Sequence, residues 1–257
     1  LKLKRVICCL MAAVLLFGTV GCAASVAPVT PDDVVPDASV TQSPSDVVVF
    51  DDPTLESLVR TAIGKPEGDV TLADAWAVTE LEFSQMGLDK DQPYIHSLSA
   101  LQYFTNLTYL GLGYAVQNAD DPTAPADISP LAGLTNLTSL QMGGVVVSDL
   151  SAVSGMQNLI SLTVFNGEQP LDLAPLANLA NLQALTLRNN KITDVSPLAG
   201  LNNLGYLDLE GNQITDVSPL AGLTGLERLY LIDNPITDFS PLAEVRSDLV
   251  EWDFDVE

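Results

Sequence analysis

Leucine recurs in this chain in a register that leaves few folds open. The pattern L-x-x-L-x-L begins at Leu107, Leu137, Leu159, Leu182, Leu204 and Leu226, with a variant at Leu249. Met142 and Val164 replace the last leucine in the second and third copies. Successive offsets are 30, 22, 23, 22, 22 and 23 residues, and a degenerate copy, Val78 to Phe83, lies 29 before Leu107. A unit this short has one apolar side and too little chain to cover it. Stacking neighbours cover it, so a fixed period in this range predicts a solenoid. The two longer offsets read as loop insertions, at residues 85–94 and 115–126. With 41 leucines in 257 residues, there is enough apolar side chain to fill such a core.

Each part of the unit has a physical task. In Leu185-Thr186-Leu187 and Leu207-Asp208-Leu209 the alternation sends leucines inward and Thr186 or Asp208 outward, as a strand requires. Asn190, Asn212 and Asn234 follow the last leucine by three residues, where a buried amide can satisfy the turn backbone of its own and adjacent coils. Earlier coils carry Ala115, Val145 and Gly167 there, so the ladder is expected to be less regular. The return limb reads Asp-Val-Ser-Pro-Leu at Asp194–Leu198 and Asp216–Leu220, with relatives at Asp127, Asp172 and Asp238. Ser is expected as N-cap and Pro as first helical residue of a single 3-10 turn. Asn106, Asn136, Asn158, Asn181 and Asn203 precede the first leucine of a strand, and a left-handed backbone is expected there.

The period marks a leucine-rich repeat. The run Asn-x-Ile-Thr-Asp-Val-Ser-Pro-Leu (Asn190–Leu198, Asn212–Leu220) resembles bacterial internalin-type repeats over residues 50–257. The expected fold is an α/β solenoid: a leucine-rich-repeat horseshoe with a parallel concave sheet, short convex 3-10 segments and an N-terminal helical cap. Internalins are surface proteins whose concave sheets bind host receptors, which is what the resemblance implies for this chain. Neither an immunoglobulin-like module, an LPxTG wall signal nor an enzymatic domain is read after the repeats.

The chain opens on an address. Lys2, Lys4 and Arg5 precede an apolar stretch, Val6 to Val20, shorter than the ~20 residues a spanning helix needs. Thr19-Val20-Gly21-Cys22 resembles a bacterial lipobox, with Thr19 where Leu is usual; this implies lipidation of Cys22. Ordinary secretion, with cleavage near Ala23 or Ala24, is the alternative. The expected division is signal peptide 1–21, lipidated Cys22 and disordered linker 22–49, helical cap 50–78 and repeats 79–257. The linker carries Pro28, Pro31, Pro36 and Pro44 without helical or strand period. In the cap, Asp52 and Pro53 open a helix with Leu55, Leu58, Val59, Ala62 and Ile63 on one face and Gly64 closing it, and Thr71 opens a second.

Charge excludes several functions. There are 33 acids against 10 bases, and removing residues 1–21 takes three of those bases. Such a surface has no basic patch for nucleic acid or anionic lipid, so membrane attachment would come from the lipid alone. Cys8, Cys9 and Cys22 all fall in the N-terminal segment, so neither disulfides nor cysteine-held metal is expected in the repeats. His96 lies in an insertion with no nucleophile in a recognisable relation, and no cofactor motif appears. Asp208 and Glu210 stand roughly 6.5 Å apart on one strand face, a glycosidase-like separation. No cleft accompanies them and Arg188 would hold Glu210 ionised, so a solvated pair and no enzyme is the reading.

Binding is the remaining class. Phe165, Arg188, Tyr206, Asp208, Glu210, Arg228, Tyr230 and Ile232 cluster on the outward face late in the array, a composition of binding hot spots. The plain alternative is a solvated face whose Arg188–Glu210 and Arg228–Glu251 pairs are cross-strand ion pairs. A protein ligand is the expected partner; the competing reading is a polysaccharide-binding or structural envelope component. A monomer is expected, because Glu251, Asp253, Asp255 and Glu257 surround Trp252 and Phe254 at the end of the array.

Overall fold

The computed structural model describes residues 42–83, 94–167 and 169–254. Cys8, Cys9, Cys22, Ser84, Asp255, Glu257 and nearly all of the first insertion lie outside the described residues.

Helix α1 (Pro53–Ile63) starts as the sequence dictates. Asp52 is extended and accepts from the N–H groups of Thr54 and Leu55, Pro53 needs no partner, and Gly64 closes the helix at φ 66°. The Asp52 carboxylate does more than cap. Its second oxygen accepts from His96 N at 2.6 Å and Ser97 N at 3.1 Å, which ties α1 to the first return limb. Helix α2 (Leu72–Trp76) carries a reciprocal capping box between Thr71 and Asp74. Lys65 Nζ, 2.6 Å away, and the Thr71 groups hold the Asp74 carboxyl down at about 2. Residues ahead of Phe50 are already part of the fold. Residues 42–49, assigned to the linker from their composition, pair with the segment before α2: Val48 N donates to Val70 O at 2.8 Å and Leu72 N to Asp46 O at 2.8 Å.

The repeats form one parallel sheet of eight strands in chain order. These are β1 (Glu80–Glu82), β2 (Tyr109–Gly111), β3 (Ser139–Gly143), β4 (Ser161–Phe165), β5 (Ala184–Thr186), β6 (Tyr206–Asp208), β7 (Arg228–Tyr230) and β8 (Glu251–Trp252). Register follows the leucine pattern: Leu81, Leu110, Leu140, Leu162, Leu185, Leu207, Leu229 and Trp252 are successive partners. The leucines of this row are buried to within 1%. The opposite side of each coil is a 3-10 turn, as at Ser129–Leu131, Ser196–Leu198 and Ser218–Leu220.

Two local expectations are corrected. Ser is the first residue of these turns, not their cap. The residue before it makes no side-chain cap, and the aspartate two positions back accepts instead: Asp127, Asp149, Asp172, Asp194, Asp216 and Asp238 each take an N–H at 2.7–2.9 Å. An Asx turn places a stronger acceptor on the free N–H than a serine hydroxyl does. The asparagines before the strands are not left-handed either. Each donates its amide to a carbonyl of the preceding coil, Asn106 to Trp76, Asn136 to Thr105, Asn158 to Thr135, Asn181 to Gln157 and Asn203 to Ala180, at 2.7–3.0 Å. The left-handed residues follow the strands, at Gly144, Asn166, Asn189, Gly211 and Asp233. There the chain turns out of the sheet just ahead of the buried amide ladder.

That ladder is built as expected. Asn212, 4% exposed, accepts from Asn190 N and Ile192 N and donates to Leu187 O and Leu209 O. Asn190 donates to Val164 O, and its oxygen accepts from Gly167 N where the side chain runs out.

Candidate binding surface

Strand alternation leaves the residues between the leucines on the outer, concave face of the sheet. The pairing Glu80, Tyr109, Ser139, Ser161, Ala184, Tyr206, Arg228, Glu251 makes one continuous row across all eight strands. A second row runs through Glu82, Gly111, Gln141, Thr163, Thr186, Asp208 and Tyr230. The late cluster is thereby brought together. Tyr206 and Tyr230 lie on adjacent strands with ring centroids 5.7 Å apart, tilted at 54°. Arg228 is 3.8 Å from Glu251, and Ile232 is 47% exposed beyond the end of β7.

Asp208 departs from the expected solvated charge. It is 3% exposed, packed where Arg188 Nε approaches at 3.5 Å, Tyr206 donates its hydroxyl at 3.3 Å and Glu210 N donates at 3.1 Å. Burial raises its carboxyl, against the lowering by Glu210 N–H and Arg188. Arg188 also pairs with Glu210, so one guanidinium bridges both acids. Each carboxylate thus faces the Arg188 guanidinium. The cross-strand ion pairs are therefore present, and they organise the patch around the two tyrosines rather than replacing it.

Phe165 stands apart from this group, toward the N-terminal half. Its ring lies on Gly143, where a Cβ would come within 2.2 Å of it, and meets Tyr114 edge-on at 6.1 Å. Tyr114 in turn lies over Gly144, a left-handed glycine where a side chain would be strained and would strike the ring. Tyr114 was not among the residues singled out from sequence. The signal was Gly143, a glycine where later coils carry Phe165, Arg188, Glu210 and Ile232. Asn166 Nδ2 reaches the Tyr114 hydroxyl at 3.3 Å, and Asn189 Nδ2 reaches Asn166 at 3.2 Å. Tyr109 and Glu82 form a further hydroxyl–carboxylate pair on this half. Burial, followed by Glu82, raises the Tyr109 hydroxyl.

His96 is held by its backbone to Asp52, and its ring Nδ1 lies 3.1 Å from Gln117 O. At the far end, Trp252 occupies the leucine row yet is 39% exposed, with Arg246 over its ring at 5.6 Å. Phe254 closes the core instead, stacked on Phe239 at 5.1 Å. Asp253, expected as a free repulsive charge, accepts from Leu231 N at 2.7 Å and Ile232 N at 3.1 Å. The bond to Leu231 N takes the place of the backbone carbonyl that Leu187 N and Leu209 N reach in earlier coils, at Asp208 O and Tyr230 O.

The match to known proteins agrees with this geometry. A family model of leucine-rich repeats in two copies matches residues 180–220 and 202–244. No curated protein matches the chain. Among solved structures, internalin C2 of Listeria monocytogenes is 30% identical, with a TM-score of 0.59, over 85% of this chain and 100% of that one. The Listeria monocytogenes internalin InlF is 31% identical, with a TM-score of 0.52, over 82% and 72% of the two chains. A leucine-rich-repeat protein of Leptospira interrogans, 20% identical with a TM-score of 0.52 over 70% and 50%, shares the fold. Repeat register, capping helices and these likenesses agree: the chain belongs to the internalin-type leucine-rich-repeat proteins.

Proposed function

We propose that this protein is a surface-displayed binding module that recognises a protein partner through its concave face, not a catalyst. The observation that carries the reading is the patch of Tyr206, Tyr230, Arg228, Arg188, Glu210 and Ile232. It puts rings, guanidinium groups and an exposed aliphatic side chain on adjacent strands of a sheet held rigid from behind. Tyrosine and arginine supply large contact area at few rotatable bonds, which suits them to such anchoring. The test is capture by immobilised protein of partners from extracellular or host extracts. Arg228→Ala with Ile232→Lys should abolish retention, and Thr215→Lys, away from this face, should not. Equal retention by all three rejects the concave face.

Display is proposed to depend on lipidation at Cys22, by the likeness of Thr19–Cys22 to a lipobox. No helix among the described residues is long and apolar enough to cross a membrane. Cys22→Ala should move the protein out of the membrane fraction; unchanged membrane association rejects the anchor. A second reading, glycan binding, is favoured by the Tyr114–Phe165 pair beside the Asn166 amide. Purified polysaccharide that competes for a captured partner, and loses its effect in Phe165→Leu, would select it.

A further inference from the structure

We propose that the Tyr206–Tyr230 pair is a receptor for a cationic side chain, Lys or Arg, presented by a basic partner. The proposal rests on the concave-face reading and gives that partner its chemistry.

The ring pair is tilted rather than stacked, and both tyrosines are partly exposed on the concave face. Both hydroxyls are already engaged by carboxylates: Tyr206 donates to Asp208, and Tyr230 is hydrogen-bonded with Glu251. A phenol that donates to a carboxylate has no free donor left for a ligand. Its ring becomes richer in electron density, and the face attracts a cation more strongly. Tyr109 with Glu82 repeats the arrangement four strands away, roughly 19 Å along the sheet. Three tyrosines on one face share this pairing, so a ligand that reads ring faces and negative charge is favoured over one needing hydroxyl donors.

The surrounding charge points the same way. Residues 42–257 carry 30 acids and 7 bases, so approach of a basic surface is favoured over a long range. The protein's own guanidinium groups nearby are occupied, Arg188 by Asp208 and Glu210 and Arg228 by Glu251. The chain also uses the same contact internally, where Arg246 sits over Trp252. An acidic peptide would be opposed by the net negative charge of the whole chain, and a neutral sugar would find the phenol donors taken.

The test uses the full chain and a fluorescein-labelled peptide of alternating Arg and Ser, with its Glu–Ser counterpart as control. Binding is followed by fluorescence anisotropy at low and moderate salt. Tyr206→Leu with Tyr230→Leu leaves every charge in place, so attraction by net charge alone survives it while ring recognition does not. The double variant should weaken binding about tenfold, Tyr206→Phe with Tyr230→Phe should stay within about threefold, and Tyr114→Leu should change nothing. Should the leucine variant lose its fold, ring chemical shifts in the unmodified protein decide. Peptide addition should perturb Tyr206 and Tyr230 and leave Tyr114 in place. Equal affinity of the leucine variant, or perturbation confined to Tyr114, overturns the proposal. A captured partner lost with Arg228→Ala and Ile232→Lys but retained by the leucine variant overturns it too, and leaves the concave-face reading standing.

Discussion

Replacing Asn212 by alanine is the sharpest test of what holds the coils together. The side chain is 4% exposed and makes four short bonds: from Asn190 N at 3.0 Å and Ile192 N at 3.1 Å, and to Leu187 O at 2.9 Å and Leu209 O at 2.7 Å. Truncation removes all four bonds and strands the Asn190 and Ile192 N–H groups and the Leu187 carbonyl in a region water barely reaches, while Leu209 O keeps Asn234 Nδ2 at 2.9 Å. At a net ~1 kcal/mol for each bond, Asn212→Ala should destabilise by about 4 kcal/mol. For a folded unit of this size that lowers the thermal midpoint by roughly 8–16 °C. The matching control is Asn203→Ala, exposed and with a single bond to Ala180 O at 2.8 Å, where water can replace the amide and the loss should be under ~1 kcal/mol. Asn212→Asp separates geometry from polarity. It keeps the acceptor for Asn190 and Ile192 but turns an oxygen toward two carbonyls, so its carboxyl should be raised in the folded state. Its stability should therefore recover as pH falls through that raised value, where the proton restores a donor. Circular dichroism on heating and in urea reads all three variants. If Asn212→Ala loses no more than Asn203→Ala, the ladder is ornament and the leucine core alone sets stability.

Leu207→Ala should cost ~2–5 kcal/mol in urea titrations, because a fully buried side chain between two coils leaves a void, whereas outward Thr186→Ser should cost under ~0.5. The Asx-turn ladder sets the acid limb. The Ser129, Ser151, Ser218 and Ser240 groups lower the carboxyls of Asp127, Asp149, Asp216 and Asp238 below the unfolded value of 3.8. Their contribution is whole above that value and is lost as pH falls through the lowered ones, so Asp216→Asn with Asp238→Asn should flatten stability below about pH 4. Asp208 runs the other way, its raised carboxyl favouring the fold when protonated, so Asp208→Asn should reduce any gain in stability as pH falls toward 4. Finally, Asp253→Ser frees Leu231 N and Ile232 N at the edge of the sheet, and sedimentation velocity should show a monomer becoming self-associating. A stable dimer of the unmodified protein, or a monomeric variant, would refute that account.

The leucine register by itself determined the solenoid, the inward row, the outward row and the buried amides, because each follows from a period of two within a period near 22. It also determined the first helix, since Asp52, Pro53 and Gly64 act on their nearest neighbours along the chain. Tertiary structure alone decided what depends on groups one coil away. Asp208 became a buried acid because Arg188 and Tyr206 close over it, Asp253 came to hold the Leu231 and Ile232 N–H groups one coil back, and Asp52 joined α1 to His96 and Ser97. The asparagines before the strands looked like turn residues locally, yet the carbonyl each one reaches lies 23 to 31 residues back. Local pattern sets which side a residue faces; which partner waits on that side depends on how the coils stack.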